Sequence, residues 1–194
     1  GSGAAASDAS RSGLGGVVKG ATWTPGFAGT GLAFDGVDAL VALPKGPAAT
    51  ETFTMAFWAN PTAERKSTPQ EAQGVTGTSE QRYAIFPSIH STAGAGVSVG
   101  TNGVSVFEHS GNYLPSLLVH DAAVSGWTHV AVVYTNRQPR LYLNAVFVKE
   151  GVRSERAVVP GWQFGGDGSR YGPYKGLLDE IRCYSRALTE GEIS

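Results

Sequence analysis

Two segments carry the densest apolar patterning in the chain: Phe53-Thr54-Met55-Ala56-Phe57-Trp58-Ala59, and Trp127-Thr128-His129-Val130-Ala131-Val132-Val133-Tyr134. Both are too short and too rich in β-branched and aromatic residues for helices, so both predict strands. The second is apolar on both faces, as a central strand would be. Shorter runs predict further strands at Arg82 to Phe86, Val97 to Val99, Val104 to Phe107, Leu117 to His120, Gly161 to Phe164 and Leu177 to Tyr184. Turn chemistry separates them. Asp35-Gly36 divides Gly31 to Leu43 into two short strands, Asn60-Pro61 ends a third, and Asn102-Gly103 marks a hairpin. Arg140 to Leu143 and Phe147 to Lys149 predict another hairpin around Asn144-Ala145. No amphipathic helix of ten residues is visible. Thr189-Glu190-Gly191-Glu192 fits a capping box and predicts a single helical turn. About a dozen short strands punctuated by turns predict an all-β, two-sheet antiparallel jelly-roll sandwich.

Composition narrows the picture. A length of 194 residues suits one sandwich, and 41% hydrophobic content argues against disorder. Residues 1 to 20 are small and Gly-rich, and are expected to form a weakly folded leader ahead of a single domain over 21–194. The opening Gly1-Ser2-Gly3 reads as an expression scar, which implies a domain excised from a larger protein. A net charge of −1 with scattered Lys and Arg excludes a basic footprint for nucleic acid. No apolar run reaches the roughly 18 residues of a membrane helix, so membrane insertion is not expected. One cysteine, Cys183, rules out an intrachain disulfide, and its alternating context predicts a small buried hydrophobe. His90, His109 and His120 lack zinc-like spacing. Residues 61 to 80 form a long polar loop, of the kind that is functional or mobile, and it or residues 86 to 96 would cover or complete a binding face.

Four segments, taken in order, resemble the laminin-G-like and concanavalin A-like lectin jelly-roll family. They are Gly31-Leu32-Ala33-Phe34-Asp35-Gly36-Val37-Asp38, Phe53 to Trp58, Gly126 to Tyr134 with Arg140-Leu141-Tyr142-Leu143-Asn144, and Tyr174 to Arg182 with Tyr184-Ser185-Arg186-Ala187-Leu188. The resemblance covers about residues 30 to 194. It implies an extracellular or cell-surface module with glycan or polysaccharide, or else a surface protein, as partner. One departure stands out. The family pattern has Asn-Gly where this chain has Asn144-Ala145, so a type I′ turn would need positive φ at an alanine, costing about 1 kcal/mol.

Candidate chemistry follows. Alternation through Leu177 to Tyr184 puts Asp179 on a core face with Leu177, Ile181 and Cys183. A buried carboxylate must be paired, hydrogen-bonded or metal-bound. Backbone N–H groups or an arginine would satisfy it. The resemblance instead implies a structural Ca²⁺ held by Asp179, Asp35 and Asp38, although Asp35 and Asp38 also read as turn formers. A ligand face needs rings and a few fixed polar groups, and the candidates are Arg82, Tyr83, Glu108, His109, Asn112 and Tyr113. Trp162, Tyr171 and Tyr174 read as core before platform, and Trp23, Trp58, Trp127 and His129 as core. Retaining glycosidases need two carboxyl groups about 5 Å apart, and no Glu-x-Asp-x-x-Glu run supplies them. The reading is a non-catalytic, lectin-like carbohydrate-binding module. An adhesion or spacer module recognising protein is the alternative, and a glycan-active enzyme the least favoured.

Overall fold

In the computed structural model, residues 3–10, 12–88 and 91–193 are described; His90 lies outside them. The strands in chain order are β1 (Ala5–Ala6), β2 (Gly16–Lys19), β3 (Thr22–Pro25), β4 (Thr30–Asp35), β5 (Leu40–Ala42) and β6 (Phe53–Pro61). They continue as β7 (Tyr83–Phe86), β8 (Ala93–Gly100), β9 (Gly103–His109), β10 (Ser116–His120) and β11 (Thr128–Thr135). The set ends with β12 (Gln138–Leu143), β13 (Val146–Glu150), β14 (Val158–Pro160), β15 (Gln163–Phe164) and β16 (Lys175–Tyr184), followed by α1 (Glu190–Ile193).

These strands form two stacked sheets. A seven-stranded sheet runs β13-β12-β11-β6-β16-β4-β3. A nine-stranded sheet runs β1-β2-β5-β15-β7-β8-β9-β10, with β14 added alongside β8. All pairings are antiparallel except the short one between β14 and β8. This is the two-sheet sandwich that the patterning predicts.

The inner faces follow the period of two. Phe53, Met55, Phe57 and Ala59 of β6 join Val130, Val132 and Tyr134 of β11, and Leu178 of β16. They meet Ile85 of β7, Ala95, Val97 and Val99 of β8, and Val104 and Val106 of β9. Phe53 stacks on Tyr134 at 4.6 Å between ring centroids. Full burial of such a side chain contributes roughly 1.5–3 kcal/mol, so this seam is the main source of folding energy.

Three expectations change. Residues 1 to 20 are not a loose leader in the described structure: β1 and β2 add to the nine-stranded sheet, and Val18 is buried. Two adjacent valines were too short a signal to separate from their Gly-rich surroundings. Second, the strands flanking Asp35-Gly36 do not pair with each other, because β4 and β5 belong to different sheets. Third, the long polar loop after β6 is tied down. Arg65, with a fully buried side chain, donates to the carbonyl of His120 and pairs with Asp121 at 2.7 Å. Further along, the Thr76 and Gly77 amides donate to Leu114 O. The loop thereby covers the outer face of the nine-stranded sheet around Tyr83 and Leu114, where a Cβ on Gly77 would meet both side chains.

Candidate functional site

The outer face of the seven-stranded sheet is covered only in part. On β6, Thr54, Ala56 and Trp58 are out of phase with the core residues and point away from the sandwich. On β11, His129, Ala131 and Val133 do the same. The C-terminal segment covers one end, where Leu188 and Ile193 pack on Ala56, Ala131, Val133 and Tyr142. The capping box forms as its sequence predicts: the Thr189 amide donates to the Glu192 carboxylate at 3.0 Å. The other end stays open.

That opening is a groove of about 700 Å³, with Phe27, Trp58, Trp127, His129, Asn144 and Arg182 among its walls. Its size is in the range of small-ligand sites. In register, Trp58 lies opposite His129 on one side and opposite Asp179 on the other. Phe27, on the loop between β3 and β4, stacks flat on Trp58, 3.4 Å between centroids and 10° between planes. Trp127 meets Phe27 edge-on at 6.3 Å. His129 lies tilted beside Trp58 at 5.3 Å. Small side chains at Ala56 and Ala131 keep the floor low next to these rings.

Polar groups edge the rings. Asn144 locks into the strand end, exchanging bonds with His129: its Oδ1 accepts the His129 amide and its own amide donates to His129 O, both at 2.9 Å. Burial, and then the Arg182 charge, hold the His129 imidazole below its ordinary pKa, so it is neutral at physiological pH. Arg182 is paired with Glu180. Glu192 accepts both Arg186 nitrogens at 2.7 and 2.8 Å. That guanidinium, with the Thr189 bonds behind it, draws the Glu192 pKa down to about 2. The groove thus offers rings, an amide, a neutral imidazole and mutually compensated charges.

The residues proposed from sequence lie elsewhere. Glu108 is fully buried and points into the sandwich, where it accepts from Tyr113 and Tyr134 hydroxyls at 3.1 Å each and from Ser154 at 2.5 Å. Burial pushes its pKa up to about 7, against the opposing pull of those bonds. Tyr83 is buried on the opposite side of that sheet, edge-on to Phe86 and Phe107. Arg82 donates to Gln81 O; it forms no pair with Glu108, which sits opposite Ala95, three residues along β8 from the Ser98 that faces Tyr83. Tyr113 is buried beneath Arg156, whose guanidinium lies 4.2 Å over the ring. His109 sits against the Pro87 carbonyl at 3.0 Å. Only Asn112 is exposed, at the tip of the turn closed by Ser110 and Tyr113. The structure therefore brings Glu108 and Tyr113 together as an interior network and leaves the six without a common open surface.

Asp179 also moves. Leu178, not Asp179, enters the core, because β16 carries a bulge between Asp179 and Arg182 and Glu180 adopts φ 50°. The bulge shifts the phase, so that Ile181 still packs on the core. Asp179 lies on the groove side, buried under the β3–β4 loop. Its Oδ2 accepts the Ala28 amide at 2.9 Å and its Oδ1 the Glu180 amide at 2.8 Å. Asp35 accepts the Val37 amide at 2.8 Å in a tight turn, which lowers its pKa. It pairs with Lys175, four residues from Asp179 along β16, or about 13 Å at strand rise. Asp35 and Asp179 are therefore separated along the sheet, and the Asp179 oxygens are engaged by N–H donors. Among the described residues no cluster of three or more His, Cys, Asp or Glu side chains converges. Cys183 is exposed, not buried. Trp58, Trp127 and His129, expected in the core, face the groove, whereas Trp23 packs against the core and Tyr174 lies within it.

No curated protein matches the chain in sequence. Among solved structures it is similar to domain 4 of AbnA, a GH43 extracellular arabinanase from Geobacillus stearothermophilus, in complex with arabinotriose. That match has 19% identity over 90% of this chain and 80% of that one, at a TM-score of 0.59. The binding domain of botulinum neurotoxin DC in complex with SialylT matches at 13% identity and TM-score 0.61, with 94% of this chain covering 46% of that one. The carbohydrate-binding module CBM66 from Bacillus subtilis matches at 12% identity and TM-score 0.51, over 88% and 95% of the two chains. At these identities the likeness is one of fold. Residues 35–194 match the Laminin_G_3 family model, and the chain belongs to that family of the concanavalin A-like lectin/glucanase superfamily.

Proposed function

We propose that this protein is a non-catalytic carbohydrate-binding module that takes a neutral glycan in the groove on the outer face of its seven-stranded sheet, as part of an extracellular or cell-surface protein. The observation that carries this reading is the juxtaposition of Phe27, Trp58 and Trp127 with Asn144 and His129 in one open concavity. Sugar C–H faces pack on such rings, and fixed amide and imidazole groups satisfy hydroxyls. Charge balance supports a neutral ligand: Arg182 is compensated by Glu180, Glu192 by Arg186, and His129 is uncharged. A non-catalytic role fits the same pairing. Glycoside hydrolysis needs one carboxyl held protonated as an acid, and both groove glutamates are tied to arginines. Glu108, the carboxyl with a raised pKa, faces the interior. Three similar folds whose descriptions name carbohydrate ligands or carbohydrate binding are consistent with it. Among the described residues no helix is long and apolar enough to cross a membrane.

Isothermal titration against arabinotriose, xylotriose, cellotriose, maltotriose and 3′-sialyllactose tests the proposal. At least one neutral trisaccharide should bind, and Trp127→Ala, which removes a groove ring, or Trp58→Ala, which removes the ring under Phe27, should weaken it about tenfold. Preference for the sialylated sugar, or binding indifferent to both tryptophans, would contradict it.

A further inference from the structure

We infer that Asp179 is a positioning residue for this groove: its buried carboxylate seats the Gly26–Gly29 loop so that Phe27 lies flat on Trp58 and forms the exposed floor. This rests on the proposed glycan-binding role of the groove.

The loop does not need Asp179 to close. Pro25 pairs with Thr30, and the Gly26 amide donates to Gly29 O at 3.0 Å. A hairpin closed in this way is free to swing over solvent. What Asp179 adds is a sideways anchor from a strand 151 residues away in sequence, through the Ala28 amide. Charge-assisted bonds of this kind are among the stronger hydrogen bonds, and they offset the cost of burying the carboxylate. The fit is tight. A Cβ on Gly26 would lie 2.4 Å from Asp179 Oδ2 and 2.6 Å from the Gly31 amide, and one on Gly31 would lie 2.9 Å from Leu178 O. Glycine at both positions lets the loop press directly on the carboxylate.

The consequence falls on the neighbour of Ala28. Phe27 is 48% exposed, yet it lies parallel to Trp58 at stacking distance. One ring face is spent on Trp58 and the other is presented to the groove, with Trp127 standing at its edge. The bulge in β16 belongs to the same device. By inserting a residue after Asp179 it keeps the carboxylate on the groove side while Ile181 returns to the core.

The test uses the full chain and the variants Asp179→Asn, Phe27→Ala and the double substitution. The asparagine keeps the shape but turns an N–H₂ toward one of the two amides that the carboxylate accepts. Near-UV circular dichroism of the unliganded proteins reads the Phe27–Trp58 stack, and titration with the neutral trisaccharide that binds best reads the site. Asp179→Asn should reproduce the near-UV change of Phe27→Ala and weaken binding roughly fivefold or more, the worth of an aromatic contact. The double variant should bind no more weakly than Phe27→Ala alone, since Asp179 acts through Phe27. An unchanged near-UV spectrum in Asp179→Asn, losses that multiply in the double variant, or tighter binding by Phe27→Ala would overturn the inference. Should Asp179→Asn fold poorly, hydrogen exchange in the wild-type protein decides the matter: the Ala28 amide should be protected although Ala28 is exposed, and fast exchange there would overturn it. Were no sugar to bind, the binding proposal would fall, while the spectra and the exchange rate would still decide whether Asp179 seats Phe27.

Discussion

Glu108 is a carboxyl buried near the end of a core strand. Val104, Val106 and Glu108 alternate on one side of β9, and the two valines are core, so the phase alone places Glu108 inside. Tyr113, Tyr134 and Ser154 supply the hydroxyls that make burial tolerable, and Tyr134 and Ser154 are distant in sequence, so no local pattern announces them. Energetically, burial outweighs these bonds and the neutral acid is favoured in the fold, with a pKa of about 7 against roughly 4.3 for an unfolded glutamate. A raised carboxyl pKa means that the unfolded state releases its proton first. This group's contribution to stability is therefore full below about pH 4.3 and is lost as pH rises toward 7. Glu108→Gln, which keeps the shape without the charge, should remove that pH dependence. It should also be more stable than wild type at pH 8 by up to about 3 kcal/mol. Urea unfolding of both proteins at pH 5 and pH 8 checks this, and parallel pH profiles would contradict it.

At the scale of elements, the β12–β13 hairpin is the clearest case of sequence predicting backbone. Leu143 pairs with Val146, leaving Asn144-Ala145 as a two-residue loop with φ of 48° and 66°. This is the type I′ geometry that Asn-Gly serves at lower cost. Ala145 bears steric strain, while its methyl group packs against the outer-face cluster that contains Tyr142 and Leu188. Ala145→Gly should raise the unfolding free energy, and with it the urea midpoint, by up to about 1 kcal/mol less the lost methyl contact; a lower midpoint would mean that the methyl contact outweighs the strain. The most periodic strands, β6, β9 and β11, were legible because each repeats its apolar period several times; of β8 only Val97 to Val99 was, because its first half, Ala93-Gly94-Ala95-Gly96, lacks large apolar side chains. β1, β2, β3 and β14 were missed because strands of two to four residues give at most one or two repeats. β16 was found but its faces were inverted around Asp179, since a bulge leaves the composition unchanged while reversing the alternation beyond it. The aromatic groove was partly legible. Trp58 is out of phase with Phe57 on β6 and His129 out of phase with Val130 on β11. Knowing that those two strands are neighbours would have placed both on one face. Phe27 carried no such signal, because its place depends on a contact between the chain's first and last quarters.

For the molecule as a whole, the proposed function rests on which outer face the loops leave open. The nine-stranded sheet is covered around Tyr83 and Leu114 by the long loop after β6, held by Arg65 and the Thr76 and Gly77 amides, which leaves a smaller hollow of about 300 Å³ beside His109 and Tyr171. The seven-stranded sheet is covered at one end by Leu188 and Ile193 and bare at the other. That asymmetry leads us to place recognition at Phe27, Trp58 and Trp127, not at the turn around Asn112. The most direct test is a ¹⁵N-correlated NMR titration with the neutral trisaccharide that binds best. The Trp58 and Trp127 indole N–H signals and the His129 and Asn144 amides should shift together along one saturating curve, while the amides from His109 to Tyr113 stay fixed. Shifts centred on His109 to Tyr113, with both indoles unmoved, would contradict that placement.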